Sequence, residues 1–307
     1  MLSATCARVA RLGAHAYYAG LRMCGVPARR RCRQEGGLIL CYHNVVARGA
    51  AHDGDLGLHM PRERFTRQLR WLAAHYEILP LRELVHRVET GGTLRSTAAI
   101  TFDDGYAGVF AHAAPVLESL GLPATVFVVA DAPGRCGGFW WDIVSAGGPD
   151  ARRRRLHDLR GDQAAILSEA QTPVTARLPA THRPADWATI RAHVGKRLDV
   201  GVHSATHRSL TTLDADDLRR EIVTSRAVLH RATGVWPSCF AFPYGLWDRR
   251  SRDAVRNAGY RAALTLDAGF NTRPVDLWAL PRLNVPAGIS NAAFEAWTAG
   301  VRGRTSW

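Results

Sequence analysis

The sequence predicts an α/β fold with a mostly parallel sheet, curled toward a closed or nearly closed barrel. Short apolar, β-branched runs alternate with amphipathic segments of helical period along most of its 307 residues. That rhythm is the signature of strand–helix–strand units. Residues able to do chemistry follow the apolar runs directly: His43, Asp103 and Asp104, His203, and Pro243-Tyr244. In parallel α/β proteins such groups gather at the carboxyl ends of the strands, and a barrel would bring those ends together. A hydrophobic content of 47% suffices for one sizeable core.

Residues 1–36 precede the pattern. They are basic, and Arg8, Arg11 and Arg22 interrupt every apolar run that a secretory leader or membrane span would need. Two readings stand: a poorly ordered extension, or a basic amphipathic helix over residues 7–23 lying on an anionic membrane surface. Residues 38–42 form the first strand, ending at His43. Residues 61–76 are a helix with Phe65, Leu69 and Leu72 on one face. A second helix, 81–89, stops at Gly91-Gly92. Strand 98–102 leads into Asp103-Asp104-Gly105. Helix 107–120 is closed by Gly121 with Pro123 behind it. Residues 124–129 form a buried strand.

Residues 131–198 lose the rhythm. They are expected as an irregular insertion packed beside the site, and they hold Trp140-Trp141-Asp142 and four consecutive arginines from Arg152. Strand 199–202 precedes His203, and 214–232 reads as one long helix ended by Thr233-Gly234. Residues 239–242 lead into Pro243-Tyr244-Gly245. Helix 251–258, with Asp248 as its N-cap, and strand 262–266 complete the series. The main domain is therefore 37–290, with 291–307 as a C-terminal tail.

The net charge of +13 is carried by arginine, Lys196 being the sole lysine. No nucleic-acid motif and no interleaved aromatics accompany the basic runs, so nucleic acid is not an expected partner. The six cysteines make no CxxC pair and no disulfide framework, which fits a reducing compartment, with Cys41 and Cys239 as small buried hydrophobes. The expected location is cytoplasmic, or peripheral at the cytoplasmic membrane face. Oligomeric state is not readable.

Asp103 and Asp104 end a strand, and Gly105 permits the sharp turn that swings both into one cleft. Two carboxylates that close need a cation. His203-Ser-Ala-Thr-His207 supplies two imidazoles four residues apart. Two imidazoles and one carboxylate make a three-ligand metal set with positions left open for water and substrate.

Thr-Phe-Asp-Asp-Gly, His-Ser-x-x-His and Phe-Ala-Phe-Pro-Tyr-Gly, in that order, resemble the polysaccharide deacetylases, the carbohydrate esterase family 4 with its nodulation-type chitooligosaccharide deacetylase domain. The resemblance spans roughly residues 37–290. It implies a distorted (β/α) barrel and a hydrolase that removes N-acetyl groups from an N-acetylglucosamine-containing glycan, using one divalent metal, usually Zn2+. Asp104, His203 and His207 would bind the metal. Asp103 would be the general base, and the Tyr244 N–H the oxyanion donor. O-acetyl ester hydrolysis on xylan or another glycan, and a catalytically weak glycan-binding protein, are the alternative functions.

Two departures from the family pattern stand out. The arginine that usually orients the base is replaced by Ala241, and the usual late histidine acid is missing from the segment around Leu280-Pro281-Arg282. Cys41-Tyr42-His43-Asn44-Val45 is similar to the first-strand motif of the poly-N-acetylglucosamine deacetylase branch, where the acid histidine comes early and the arginine is absent. His43 is thus the candidate general acid, with a positioning role as the alternative. Arg282 could bind Asp103, contact substrate or form an ordinary ion pair. Trp140, Trp141 and Asp142, with Pro243, are candidates to line a sugar groove; core packing or an insertion hinge is the alternative for the first three. Asp267 and Asn271, after a strand, could reach the same groove.

Overall fold

The computed structural model describes residues 4–50, 54–144, 147–171 and 178–301, with side chains from residue 13 onward. Ten strands form in chain order: β1 Leu38–Tyr42, β2 Asn44–Val46, β3 His59–Pro61, β4 Glu77–Ile78, β5 Thr97–Phe102, β6 Ala124–Val128, β7 Leu198–Val202, β8 Cys239–Ala241, β9 Ala262–Leu264 and β10 Leu283–Asn284. The main sheet is parallel throughout, in the order β10-β1-β5-β6-β7-β8-β9, with β4 also paired to β5. β2 and β3 form a separate parallel pair.

The sheet is curled, and one short segment joins its two edges. Leu280 pairs with Leu264 at the β9 edge, and three residues later β10 pairs with β1 at the other. The backbone N–H of Val285 continues that ladder to Cys41 O. The segment 280–285 therefore crosses the gap between the first and last strands.

Strand periodicity divides the core in two. Leu38, Leu40 and Tyr42 of β1 and Ala98, Ile100 and Phe102 of β5 pack outward against the surrounding helices. Ile39, Ala99, Phe127, Ala241 and Leu264 face the interior, where helix Leu81–Thr90 contributes Leu81, Leu84, Val85 and Val88. The interior is tight: a Cβ on Gly201 would come within 2.3 Å of the Phe127 ring, so only glycine fits there. By the same alternation Cys41 and His43, like Thr101 and Asp103, are on the inward face of their strands.

Most helices form where the periodicity places them. Phe65, Leu69 and Leu72 are buried on helix Arg62–His75. Gly91 and Gly121 cap their helices in the left-handed conformation, with φ 84° and 68°. Asp248 caps helix Arg249–Asn257 in a reciprocal capping box with Ser251. The expected long helix of 214–232 is interrupted: Ala215–Arg219 and Ser225–Thr233 are joined by a π-turn, Arg220–Thr224.

The first and last described helices lie together. Helix Ala4–Met23 rests on helix Asn291–Thr298: Trp297 Nε1 donates to Tyr18 Oη at 2.8 Å, and Arg22 pairs with Glu295 at 3.1 Å. Tyr18, Phe294 and Trp297 are buried. The N-terminal helix is thus joined to the body of the fold, and the C-terminal tail begins with helix Asn291–Thr298, packed into the core. Residues 172–177 of the insertion lie outside the described residues. No described helix is long and apolar enough to cross a membrane.

Candidate active site

Four strand ends build the site, and backbone strain marks it. After β5, Asp104 and Gly105 take left-handed conformations in succession, φ 71° and 74°, which brings both carboxylates to one cleft. Ser204, His207 and Tyr244 are left-handed as well, at φ 62°, 66° and 59°. Each such non-glycine residue costs on the order of 1–3 kcal/mol and persists only where its surroundings fix it. Here the fixing group is visible. The buried Glu221 carboxylate accepts the N–H groups of Ala205 and Thr206, both at 2.9 Å, and the Thr206 hydroxyl. Ser204 Oγ accepts the His207 N–H at 2.9 Å. The loop between the two histidines is pinned along its length.

Asp104, His203 and His207 converge. His203 Nδ1 donates to Ala241 O at 2.8 Å, which turns Nε2 inward. The two Nε2 atoms lie 3.2 Å apart, and Asp104 Oδ1 is 3.5 Å from one and 3.3 Å from the other. All three side chains are buried. Ligands held about 2.0–2.1 Å from a tetrahedral ion are separated by about 3.4 Å, so this donor set fits a divalent metal. Burial works against a charged Asp104, but bonding to both imidazoles outweighs it and holds the carboxyl below its usual range. Burial also lowers His207, while His203, facing both acids, is raised.

Asp103 has a different partner. Arg282, fully buried, grips it in two parallel bonds, Nη1 to Oδ1 and Nη2 to Oδ2, both 2.7 Å. The guanidinium is itself fixed: Nε donates to Thr265 O at 2.8 Å, and Nη1 to Thr101 Oγ1 at 3.2 Å. Burial alone would raise the Asp103 carboxyl; the Arg282 charge, with His203 behind it, instead holds it at about 2. The missing arginine at position 241 is thus replaced in space from the segment that closes the barrel. Cys41 Sγ lies 3.3 Å from Asp103 Oδ2, its thiol pushed up by burial and so a neutral donor. His43, half-buried, brings a ring nitrogen within 4.8 Å of both Cys41 Sγ and an Asp103 oxygen.

The insertion supplies one wall. The Trp141 ring lies 4.6 Å from that of His207, and Tyr244 contacts the same imidazole edge-on at 4.4 Å. Trp140 Nε1 donates to Tyr244 Oη at 3.0 Å. Pro243 is buried and starts the turn that carries Tyr244. The other groove candidates divide. Asp267 is exposed and accepts from Trp247 Nε1 at 2.8 Å. Asn271 is buried, and its amide donates to Gly37 O and Pro281 O, each at 3.2 Å, so it holds the fold and does not reach a groove. Asp142, a groove candidate, is instead buried and accepts from Tyr106 and His59. The sequence reading missed Glu221 and His59. A lone acid on the apolar helix face of Leu218, Ile222, Ser225 and Leu229 was the available signal for Glu221.

Over residues 90–263 the chain matches the family model described as polysaccharide deacetylase. The poly-beta-1,6-N-acetyl-D-glucosamine N-deacetylase of Staphylococcus epidermidis is 25% identical over 235 residues, which is 76% of this chain and 68% of that protein. Among solved structures, IcaB from Ammonifex degensii aligns with a TM-score of 0.61 at 21% identity, covering 87% of this chain and 97% of that one. The Streptococcus pyogenes deacetylase PplD in complex with acetate gives a TM-score of 0.61 at 15% identity, covering 83% and 94%. The structural likenesses bear on the fold alone.

Proposed function

The chain belongs to the polysaccharide deacetylase family, and within it we propose a metal-dependent hydrolase that removes N-acetyl groups from an N-acetylglucosamine-containing oligo- or polysaccharide, releasing acetate. One observation carries this reading. Asp103 is clamped by Arg282 immediately beside a separate three-ligand cluster, so one acid is reserved for a proton and the other for a cation. The deacetylase relative from Staphylococcus epidermidis supports a β-1,6-linked substrate.

Asp104, His203 and His207 would hold the metal, Zn2+ by the nitrogen–oxygen donor set. When bound, such an ion polarises the acetyl carbonyl and lowers the pKa of water. Asp103, ionised and aimed by Arg282, takes the proton of the attacking water. The Tyr244 N–H, set by its left-handed backbone, donates to the oxygen that gains charge as the carbonyl carbon becomes tetrahedral. His43 gives a proton to the departing nitrogen as the C–N bond breaks, leaving acetate and a free amine. Trp141, half-buried beside His207, is the tryptophan left to meet a pyranose ring; Trp140 is packed into the insertion's own core with Leu156, Ile166 and Leu167.

Acetate release is measured over β-1,6- and β-1,4-linked N-acetylglucosamine oligomers and acetylated xylan, with zinc quantified on the same sample. Release from the amide substrates is expected. Release from xylan alone would replace the reading with an ester hydrolase, and no release from any glycan by zinc-loaded protein would overturn the enzymatic role.

A further inference from the structure

The two histidines of the cluster are held by different means. His203 uses its second ring nitrogen to donate to Ala241 O. His207 Nδ1 is buried and has no hydrogen-bond partner among the described residues. A metal-ligating imidazole ordinarily has that second nitrogen bonded, because the bond fixes tautomer and ring orientation. His207 is instead wedged between the rings of Trp141 and Tyr244, at 4.6 and 4.4 Å.

Trp141 is in turn held from behind. It stacks on Phe139 at 4.7 Å with 5° between the planes, and its Nε1 donates to Tyr106 Oη at 2.8 Å. Tyr106 passes its own hydrogen to Asp142 Oδ2 at 2.6 Å. Asp142 Oδ1 also accepts from His59 Nε2 at 2.8 Å and from the Asp55 N–H at 2.9 Å. Asn44 Nδ2 donates to His59 Nδ1 at 3.0 Å and to Thr181 O at 2.9 Å. Asn44, His59, Tyr106 and Asp142 are all buried.

The chain of bonds assigns its protons. The Asn44 amide nitrogen can only donate, so His59 accepts at Nδ1 and carries its hydrogen on Nε2. The indole can only donate, so the Tyr106 hydroxyl must give its hydrogen to Asp142. The donors run inward from both ends, Asn44 to His59 on one side and Trp141 to Tyr106 on the other, and meet on the Asp142 carboxylate, which links the β2–β3 pair to the indole. Removing the Tyr106 hydroxyl would take away the acceptor of the half-buried Trp141 N–H and free the ring from its register.

We propose that Tyr106 and Asp142 are positioning residues for His207, acting through Trp141. The insertion provides by packing the orientation that His203 receives from a hydrogen bond. This rests on the reading of Asp104, His203 and His207 as metal ligands. The test strips the full-length protein with a chelator and measures Zn2+ affinity by competition with a chromophoric chelator. Tyr106→Phe and Asp142→Asn are each expected to bind zinc about 10–100-fold more weakly. Asp248→Ala, which removes a remote helix cap, should bind as wild type and so exclude general loosening of the fold. Zinc affinity of Tyr106→Phe within twofold of wild type would overturn the inference. That variant removes a single oxygen, so it decides the matter even if Asp142→Asn fails to fold. Wild type that binds no zinc removes the ligand reading and this inference with it. Zinc binding without acetate release removes only the deacetylase reading and leaves the positioning role standing.

Discussion

Burying Asp103 and Asp104 side by side is tolerable because each has its own cation or cation site: a guanidinium at Asp103, the imidazole cluster at Asp104. Truncating one member of a buried ion pair leaves the other uncompensated, so Arg282→Met should lower stability by about 3–5 kcal/mol in urea at pH 7. The pH dependence has a definite sign. Asp103 sits at about 2 against its usual 3.8, so the pair contributes stability that is whole above the usual value and lost as pH falls toward 2. The gap between wild type and Arg282→Met should therefore narrow from pH 5 to pH 2. The two acids should also fail differently. Asp103→Asn should retain zinc yet lose acetate release by about 10²–10⁴-fold, the usual weight of a general base. Asp104→Ala should lose the zinc itself, as read by metal analysis after gel filtration.

Much of the architecture was legible because strands and helices print their periods on the sequence. The apolar runs gave the strands, with His43, Asp103 and Asp104, His203 and Pro243-Tyr244 directly after them. The family resemblance carried by the ordered motifs implied the Asp104–His203–His207 grouping, and the three side chains do lie together. What stayed hidden was set by packing between distant segments. Arg282 stands 179 residues from the carboxylate it grips, and spacing could not choose between Asp103, substrate and an ordinary partner. The π-turn Arg220–Thr224 adds a residue to its helical turn, which no propensity marks, and Glu221 lies within it. This local widening coincides with the carboxylate that pins the histidine loop. Glu221→Ala should accordingly weaken zinc binding by about 10–100-fold, measured by the same chelator competition, because outer-shell partners act on affinity at that scale.

At the scale of the molecule, a metal held by Asp104, His203 and His207 would tie the ends of β5 and β7 together. Zinc at one hundred times its dissociation constant should raise stability by about 2.7 kcal/mol, and chelation should remove the increment together with activity. The terminal helices meet through Tyr18 and Trp297, a contact between opposite ends of the chain that no local pattern announces. Near them Arg29, Arg30 and Arg33 are exposed with no side-chain partner among the described residues, and Met23 is 89% exposed. Co-sedimentation with anionic vesicles, reversed by salt, is the outcome expected of a peripheral membrane surface. The segment that closes the barrel has a temporal consequence. Arg282 is made after every other residue assigned to the site, so a nascent chain on the ribosome holds Asp103 without its counter-charge until the last edge strand emerges. Completion of the ring and pairing of Asp103 are then one event, and a partly synthesised copy would carry the proposed base without its counter-charge.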